Sequence, residues 1–373
     1  MRLRRTVQGF SLILLASLAL ATVATAQEEI SPGTEKGMFR RYPAKLHAPS
    51  TSLEAVRAAA ATPLTTFNGS FTYRGRTYTY NMVGRAPSTG ASTTVAVEII
   101  PIKIVITNRS GVKTSFDPGH TLSNGRTVTA NTVASPVFKA IPFTSGGVSM
   151  GTTQYTDAFQ RANFWGTVKS HTGYHLLLGG PTVLAEQTLS PPAAKGITGV
   201  VFGFNAGLVD INWFDGQVQT LISKLGIQPN TLPIFLTNDV YLTEGGQCCI
   251  GGYHSATGTI AAPQAYAHAT YVDHAGTFSQ DVSALSHEVG EWADDPLVVK
   301  TNGNNTPCGI LEDGDPLENN ANFGGFPFKG TNGFTYNLQD LVTLPYFGAP
   351  PSTSVNGEFT FHGEALTVCE NGS

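Results

Sequence analysis

Residues 93–107 (TTVAVEIIPIKIVIT) carry aliphatic and β-branched side chains at almost every second position, the pattern of a strand. Pro101 brings no ladder donor and predicts a bend or an edge there. Upstream, Phe71, Tyr73, Tyr78 and Tyr80 flank Arg74-Gly75-Arg76, which predicts a hairpin. Residues 155–165 read as a short helix and 174–178 as a strand. In the second half, residues 210–225 place Trp213, Val218, Leu221 and Ile222 at helical spacing before the stop at Gly226. Residues 232–242 and 265–273 read as strands. A further helix is predicted over 277–295, since Thr277 and Gln280 have capping-box spacing and Asp295-Pro296 ends it. Residues 27–66, rich in Pro, Ala and Ser without periodicity, read as a linker or propeptide-like arm. The expected fold is α+β, with a β-rich part at 67–205 followed by a part at 206–373 built on the last helix.

The chain has 373 residues, enough for an ample core. Its beginning does not belong to that core. Arg2, Arg4 and Arg5 precede an apolar run at 10–23 that ends in Ala24-Thr25-Ala26, so residues 1–26 read as a signal peptide. That run is shorter than the roughly 20 residues of a spanning helix, and no later stretch is longer without charge, Gly or Pro. A secreted or periplasmic protein is expected, with no membrane association after cleavage. Charged residues make up 13% of the chain and the formal net charge is −4, which argues against nucleic acid as a partner. A hydrophobic share of 41% argues against disorder. The cysteines are Cys248, Cys249, Cys308 and Cys369, an even number in an oxidising compartment and therefore disulfide candidates. A ring through the single Cys248–Cys249 peptide is strained, so links to Cys308 and Cys369 are expected instead. Adjacent cysteines also lack the spacing of a zinc-thiolate pair.

The chemistry concentrates on the last predicted helix. His287-Glu288-Val289-Gly290-Glu291 puts His287 and Glu291 on one helical face, about 6 Å apart, which suits two ligands of one ion. Val282, Leu285, Val289 and Trp292 form the opposing apolar stripe, so the ligands should point away from the packed side. Glu288 stands where a general base activates water. From His287 to Glu318 the chain carries Glu288, Glu291, Asp294, Asp295, Glu312, Asp313, Asp315 and Glu318 against the single base Lys300. Asp294 and Asp295 also sit at a helix C-terminus, where negative charge costs a few tenths to about 1 kcal/mol each. A bound divalent cation is expected, and Asp294, Asp295, Asp313 and Asp315 are candidates for a second, structural Ca2+.

The His-Glu-x-x-Glu string resembles the zinc helix of zincin metallopeptidases, whose usual form is His-Glu-x-x-His. It is also similar to cassettes of uncharacterised secreted bacterial proteins, in which an Asp-Pro and an acidic Gly-Asp segment follow. Here these are Asp295-Pro296 and the LEDGDP run at 311–316. The resemblance covers about fifty residues and implies a zincin-like, gluzincin-type C-terminal part acting on a peptide or protein substrate. It implies His287, Glu291 and Glu312 as metal ligands, the last lying 21 residues beyond Glu291. Glu288 would be the catalytic base, and Tyr253, His254 and Tyr336 are candidates to stabilise an oxyanion or line a cleft. Glu291 replaces the second His, so Zn2+ fits, but two carboxylates also admit the harder Ca2+ or Mn2+. No third His follows, which excludes the metzincin subgroup.

Two rivals carry different chemistry. Gly147-Val148-Ser149-Met150-Gly151 matches the elbow of a serine esterase, but Pro142 interrupts the strand before it and Gly151-Thr152-Thr153 delays the helix after it. The aromatic, Thr-rich first half alternatively suits a non-catalytic adhesion or carbohydrate-binding protein with a structural divalent cation.

Overall fold

The computed structural model describes residues 35–39, 42–73, 75–298, 311–317, 325–351 and 359–363. The signal-peptide residues, Cys308, Cys369 and Glu318 lie outside them. Nine strands and three helices fix the frame. The strands are β1 (Glu35–Phe39), β2 (Lys45–His47), β3 (Ser92–Thr107), β4 (Gly196–Val201), β5 (Phe204–Asp210), β6 (Thr231–Asn238), β7 (Val240–Glu244), β8 (Gln247–Thr259) and β9 (Ala262–Tyr271). The helices are α1 (Tyr155–Asn163), α2 (Ile211–Leu225) and α3 (Ser283–Asp294).

The sheet runs β3-β6-β9-β8-β7-β5-β4. Its far strand β4 returns towards β3, where Ile106 lies 3.8 Å from the space a side chain on Gly196 would fill, and the sheet is nearly closed. This corrects the expected α+β, zincin-like division. The molecule is mostly β, and the strands of the second half are not a separate small sheet beside a metal helix. β6 lies parallel to β3, pairing Thr231 with Ala96 and Leu236 with Pro101, so strands far apart in sequence form one sheet. Alternation along each strand shows which face is apolar, but not which distant strand will be its neighbour.

β3 runs as predicted, but Pro101 is not at an edge: β6 flanks it over 96–101 and Thr182–Val183 pairs with Glu98 and Ile99. Instead the strand is buried on both faces, each in a different core. Val95, Val97 and Ile99 join one core with Leu285, Val289 and Trp292 of α3, whereas Ile100, Ile102, Ile104 and Ile106 join a second core with Phe214, Val218 and Leu221 of α2. The two helices therefore cover opposite faces of the sheet.

α2 matches its prediction. The Asp210 carboxylate accepts the Trp213 amide at 2.9 Å and Gly226 closes the helix at φ 67°. The single strand expected over 232–242 breaks into β6 and β7 at Asp239, which has φ 51°. α3 begins at Ser283 rather than 277, because the capping-box residues serve a turn. Thr277 donates its hydroxyl to the His274 carbonyl, and the Gln280 side chain accepts the Gly276 amide. Every residue of α3 is buried, so its His/Glu face does not look into solvent as the amphipathic reading expected.

Within residues 27–66, β1 and β2 add in parallel to β8, and Thr51 caps a helix at Ser52–Ala60. Lys45 reaches the buried Asp215 of α2 at 2.6 Å. Cys248 and Cys249 are bonded to each other across a cis peptide, with Cα atoms 3.1 Å apart. This overturns the expected links to Cys308 and Cys369. No helix among the described residues is long and apolar enough to cross a membrane.

Candidate metal centre

Strand periodicity divides neighbouring residues of β8 between two environments. Tyr253 points to the α2 face, where its hydroxyl donates to Asp215 at 3.2 Å and its ring meets Tyr42. His254, one residue on, points to α3. Tyr253 is thus removed from the oxyanion candidates, because the period of two sends it through the sheet. Tyr336 is removed as well, since its hydroxyl donates to the Asn131 carbonyl at 2.9 Å and accepts from Asn332 at 2.7 Å.

His254 is the residue whose role the sequence understated. It is fully buried, with Nδ1 3.3 Å from Glu288 Oε2 and 3.5 Å from Glu291 Oε2, and Nε2 3.8 Å from Glu312 Oε2. Its Nε2 also stands 3.1 Å from the Asp295 carbonyl. A turn of α3 away, His287 Nε2 is 2.9 Å from Glu291 Oε1 and 3.5 Å from Asp315 Oδ1. Glu291 Oε1 further accepts the amides of Gly314 and Asp315 at 3.2 and 3.3 Å. The segment at 311–317 thereby closes over the helix.

Two glycines make this approach feasible. A Cβ on Gly252 would lie 2.6 Å from Glu288 Oε1, and one on Gly314 would lie 2.1 Å from His287 Nδ1. Gly252 precedes His254 by two residues and shares its face of β8, so a side chain there would occupy the carboxylate's place.

Burial and charge pull these groups in opposite directions. Burial is the largest influence on Glu288 and pushes it up to about 7, with Glu291 adding to the rise and both imidazoles opposing it. Glu291 also feels burial most, yet the charge of His287 and the bonds to both imidazoles hold it well below the usual carboxylate range. Burial lowers His254, but Glu312, Glu288 and Glu291 together carry it well above its ordinary value. His287 behaves alike, burial being outweighed by Glu291 and Asp315. Glu288 Oε1 is buried and has no hydrogen-bond partner. An acceptor without a donor in the interior is costly, and an ion or a proton would satisfy it.

The described residues form two groups that can hold a metal ion, each with its donor atoms within 4.8 Å of one another: His287, Glu288 and Glu291, and His254, Glu291 and Glu312. The predicted trio of His287, Glu291 and Glu312 is therefore divided, Glu312 falling in with His254. Of the acids proposed for a second cation, Asp294 and Asp313 are brought together. Asp294 is bonded by Gln160, by Asn163 at 3.1 Å and by Asp313, and burial pushes it up to about 7. Burial and Asp294 raise Asp313 well above its usual value. Asp315 stands beside His287, while Asp295 offers its backbone carbonyl to His254.

No family model, curated protein or solved structure matches the chain. Ser149 does not form an elbow: it lies exposed on the strand Val148–Thr153, paired in a hairpin with Ile141–Ser145, and its hydroxyl accepts the Gly151 amide at 3.2 Å.

Proposed function

We propose that the chain is an exported metal-dependent hydrolase in which His287 and Glu291 hold a divalent ion, Zn2+ or Mn2+, and Glu288 accepts the proton of the attacking water. The observation that carries the reading is the Glu288 carboxyl, buried beside His254 and grouped with His287 and Glu291, with Oε1 unpartnered. The ion would supply positive charge that acidifies water and polarises a carbonyl. Glu291 fixes the His287 ring through its Oε1, and Gly314 and Asp315 fix Glu291 through their amides. Peptide bonds are the proposed substrate, on the strength of the resemblance of the His-Glu-x-x-Glu helix to zincin helices; the fold lends that assignment no support.

Complete burial of His287, Glu288 and Glu291 favours a second reading, a non-catalytic secreted protein with a structural cation. Zn2+-loaded wild type and Glu288→Gln, assayed on fluorogenic peptide libraries, separate the two. The hydrolase reading expects metal content to be kept in the variant and turnover to fall by about 10²-fold or more. A fully loaded wild type that cleaves nothing leaves the structural cation.

A further inference from the structure

We infer that a cleft beside α1 is a second binding site, for a small organic acid that has an apolar body and an N–H or O–H donor. It shares no residue with the metal centre and does not depend on the hydrolase reading.

The cleft, about 400 Å3, lies between residues 138–140, the end of the hairpin at Thr152 and Thr153, and the strand His175–Leu178. Its size is within the range of small-molecule pockets. Gln154, just before α1, ties two of its walls together. Its amide nitrogen donates to the Phe138 carbonyl at 3.0 Å and to the Leu178 carbonyl at 2.8 Å, and its oxygen accepts the Leu178 amide at 2.7 Å. These bonds fix the spacing of the walls, and Phe138 and Leu177 give them an apolar lining.

His175 gives the cleft an oriented polar group. Asp157, fully buried in the first turn of α1, accepts the Leu176 amide on Oδ1 at 2.7 Å. Its Oδ2 accepts the Thr153 hydroxyl at 2.6 Å and stands 2.8 Å from His175 Nδ1. The carboxylate accepts, so in the neutral ring Nδ1 carries the proton and Nε2 keeps its lone pair. The side chain is 36% exposed and lines the cleft, while Nδ1 is turned inward to the buried acid, which leaves Nε2 for a bound molecule. A ring held by an acid in this way presents one nitrogen in a set direction.

Charge decides the rest of the ligand. Among the described residues that line the cleft there is no carboxylate, and the exposed Lys139 brings a full positive charge. A carboxylate on the Lys139 ammonium, a donor to His175 Nε2 and an apolar body against Phe138 and Leu177 complement all three features. N-acylated amino acids and hydroxy acids have this form.

The probe is N-acetyl-leucine, titrated by calorimetry into the full-length protein, with Lys139→Met and His175→Gln as variants. Lys139 is exposed, and glutamine keeps an amide donor for Asp157, so neither change removes a buried partner. The wild type should bind one equivalent, and each variant should lose about tenfold in affinity. N-acetyl-leucinamide, which lacks the charge, and isocaproate, which lacks the N–H, should each bind the wild type about tenfold more weakly. No saturable binding to the wild type, or binding that both variants keep, overturns the site. Binding that survives Lys139→Met and disappears when metal is stripped puts the acid on the metal centre and overturns it equally.

Discussion

Asp281 offers a test of the fold that is independent of the metal. It sits just before α3 at φ 43°, is 4% exposed, and accepts the Val282 amide at 2.5 Å, the Asn337 amide at 2.9 Å and the Asn337 side chain at 2.6 Å. Burial outweighs those donors and pushes the carboxyl from 3.8 up to about 7. The folded chain then holds a proton that the unfolded chain has released, so stability falls as pH rises between these values. The contribution is fully present below about pH 4 and lost above about pH 7. At about 1.4 kcal/mol per pH unit it amounts to roughly 4 kcal/mol, an upper figure because water entry would relieve the burial. Asp281→Asn removes the titration, tolerates positive φ, and keeps one acceptor oxygen for Val282 or Asn337. Urea unfolding of both proteins between pH 4.5 and 7.5 gives the comparison, since groups common to both cancel in the difference. The variant should start less stable by about 1 kcal/mol and gain on the wild type by about 2–3 kcal/mol across the range. Parallel stability curves would refute a protonated carboxyl at this position.

Two further perturbations address the site and its frame. Gly314→Ala drives a methyl group to 2.1 Å from His287 Nδ1, so the ring must shift; Zn2+ affinity by chelator competition should fall at least tenfold, with about 1–3 kcal/mol of stability lost. Unchanged affinity would show that His287 is not a ligand. Lys45→Met strips the cation from buried Asp215 but leaves the donors of Tyr253, Tyr266 and Gln219. Because Lys45 is half-exposed, the loss should be about 1–2 kcal/mol rather than the 3–5 of a fully buried pair. A urea midpoint that does not move would count against Asp215 as the arm's anchor.

Local pattern was enough to locate β3, α2, the hairpin at Thr66–Tyr73 and Arg76–Val83, and the helix bearing His287 and Glu291. Each rests on signals within a few residues: alternation, an Asp cap, a stopping glycine. Other features carry weaker local signals. Asn238-Asp239 inside the run at 232–242 is a pair that tolerates the left-handed region, and the break falls there. Gly251-Gly252 hid the strand character of β8, and with it the alternation that separates Tyr253 from His254. The parallel pairing of β3 with β6 and of β6 with β9 has no local signal. Neither does the meeting of His254 with Glu288, since each was visible as a residue but their apposition depends on that pairing.

The placement of His254 depends on register more than on any one contact. Tyr253 and His254 are neighbours with opposite duties, the first closing a hydroxyl and carboxylate network with Asp215 and the second facing Glu288 and Glu291. A slip of one residue in β8 would exchange them, putting an imidazole against α2 and a phenol against the acids of α3. Pairing pins the strand on both sides of this point. β1 sets Phe39 opposite Gly252, β2 sets Lys45 opposite Thr257, and β9 runs antiparallel from Ala269 at Gly252 to Ala262 at Thr259. The same Lys45 that fixes β2 on the sheet reaches through to Asp215, beside the Tyr253 hydroxyl. The arm therefore contributes to the centre by holding the strand in the one register that brings Gly252 and His254 together against α3.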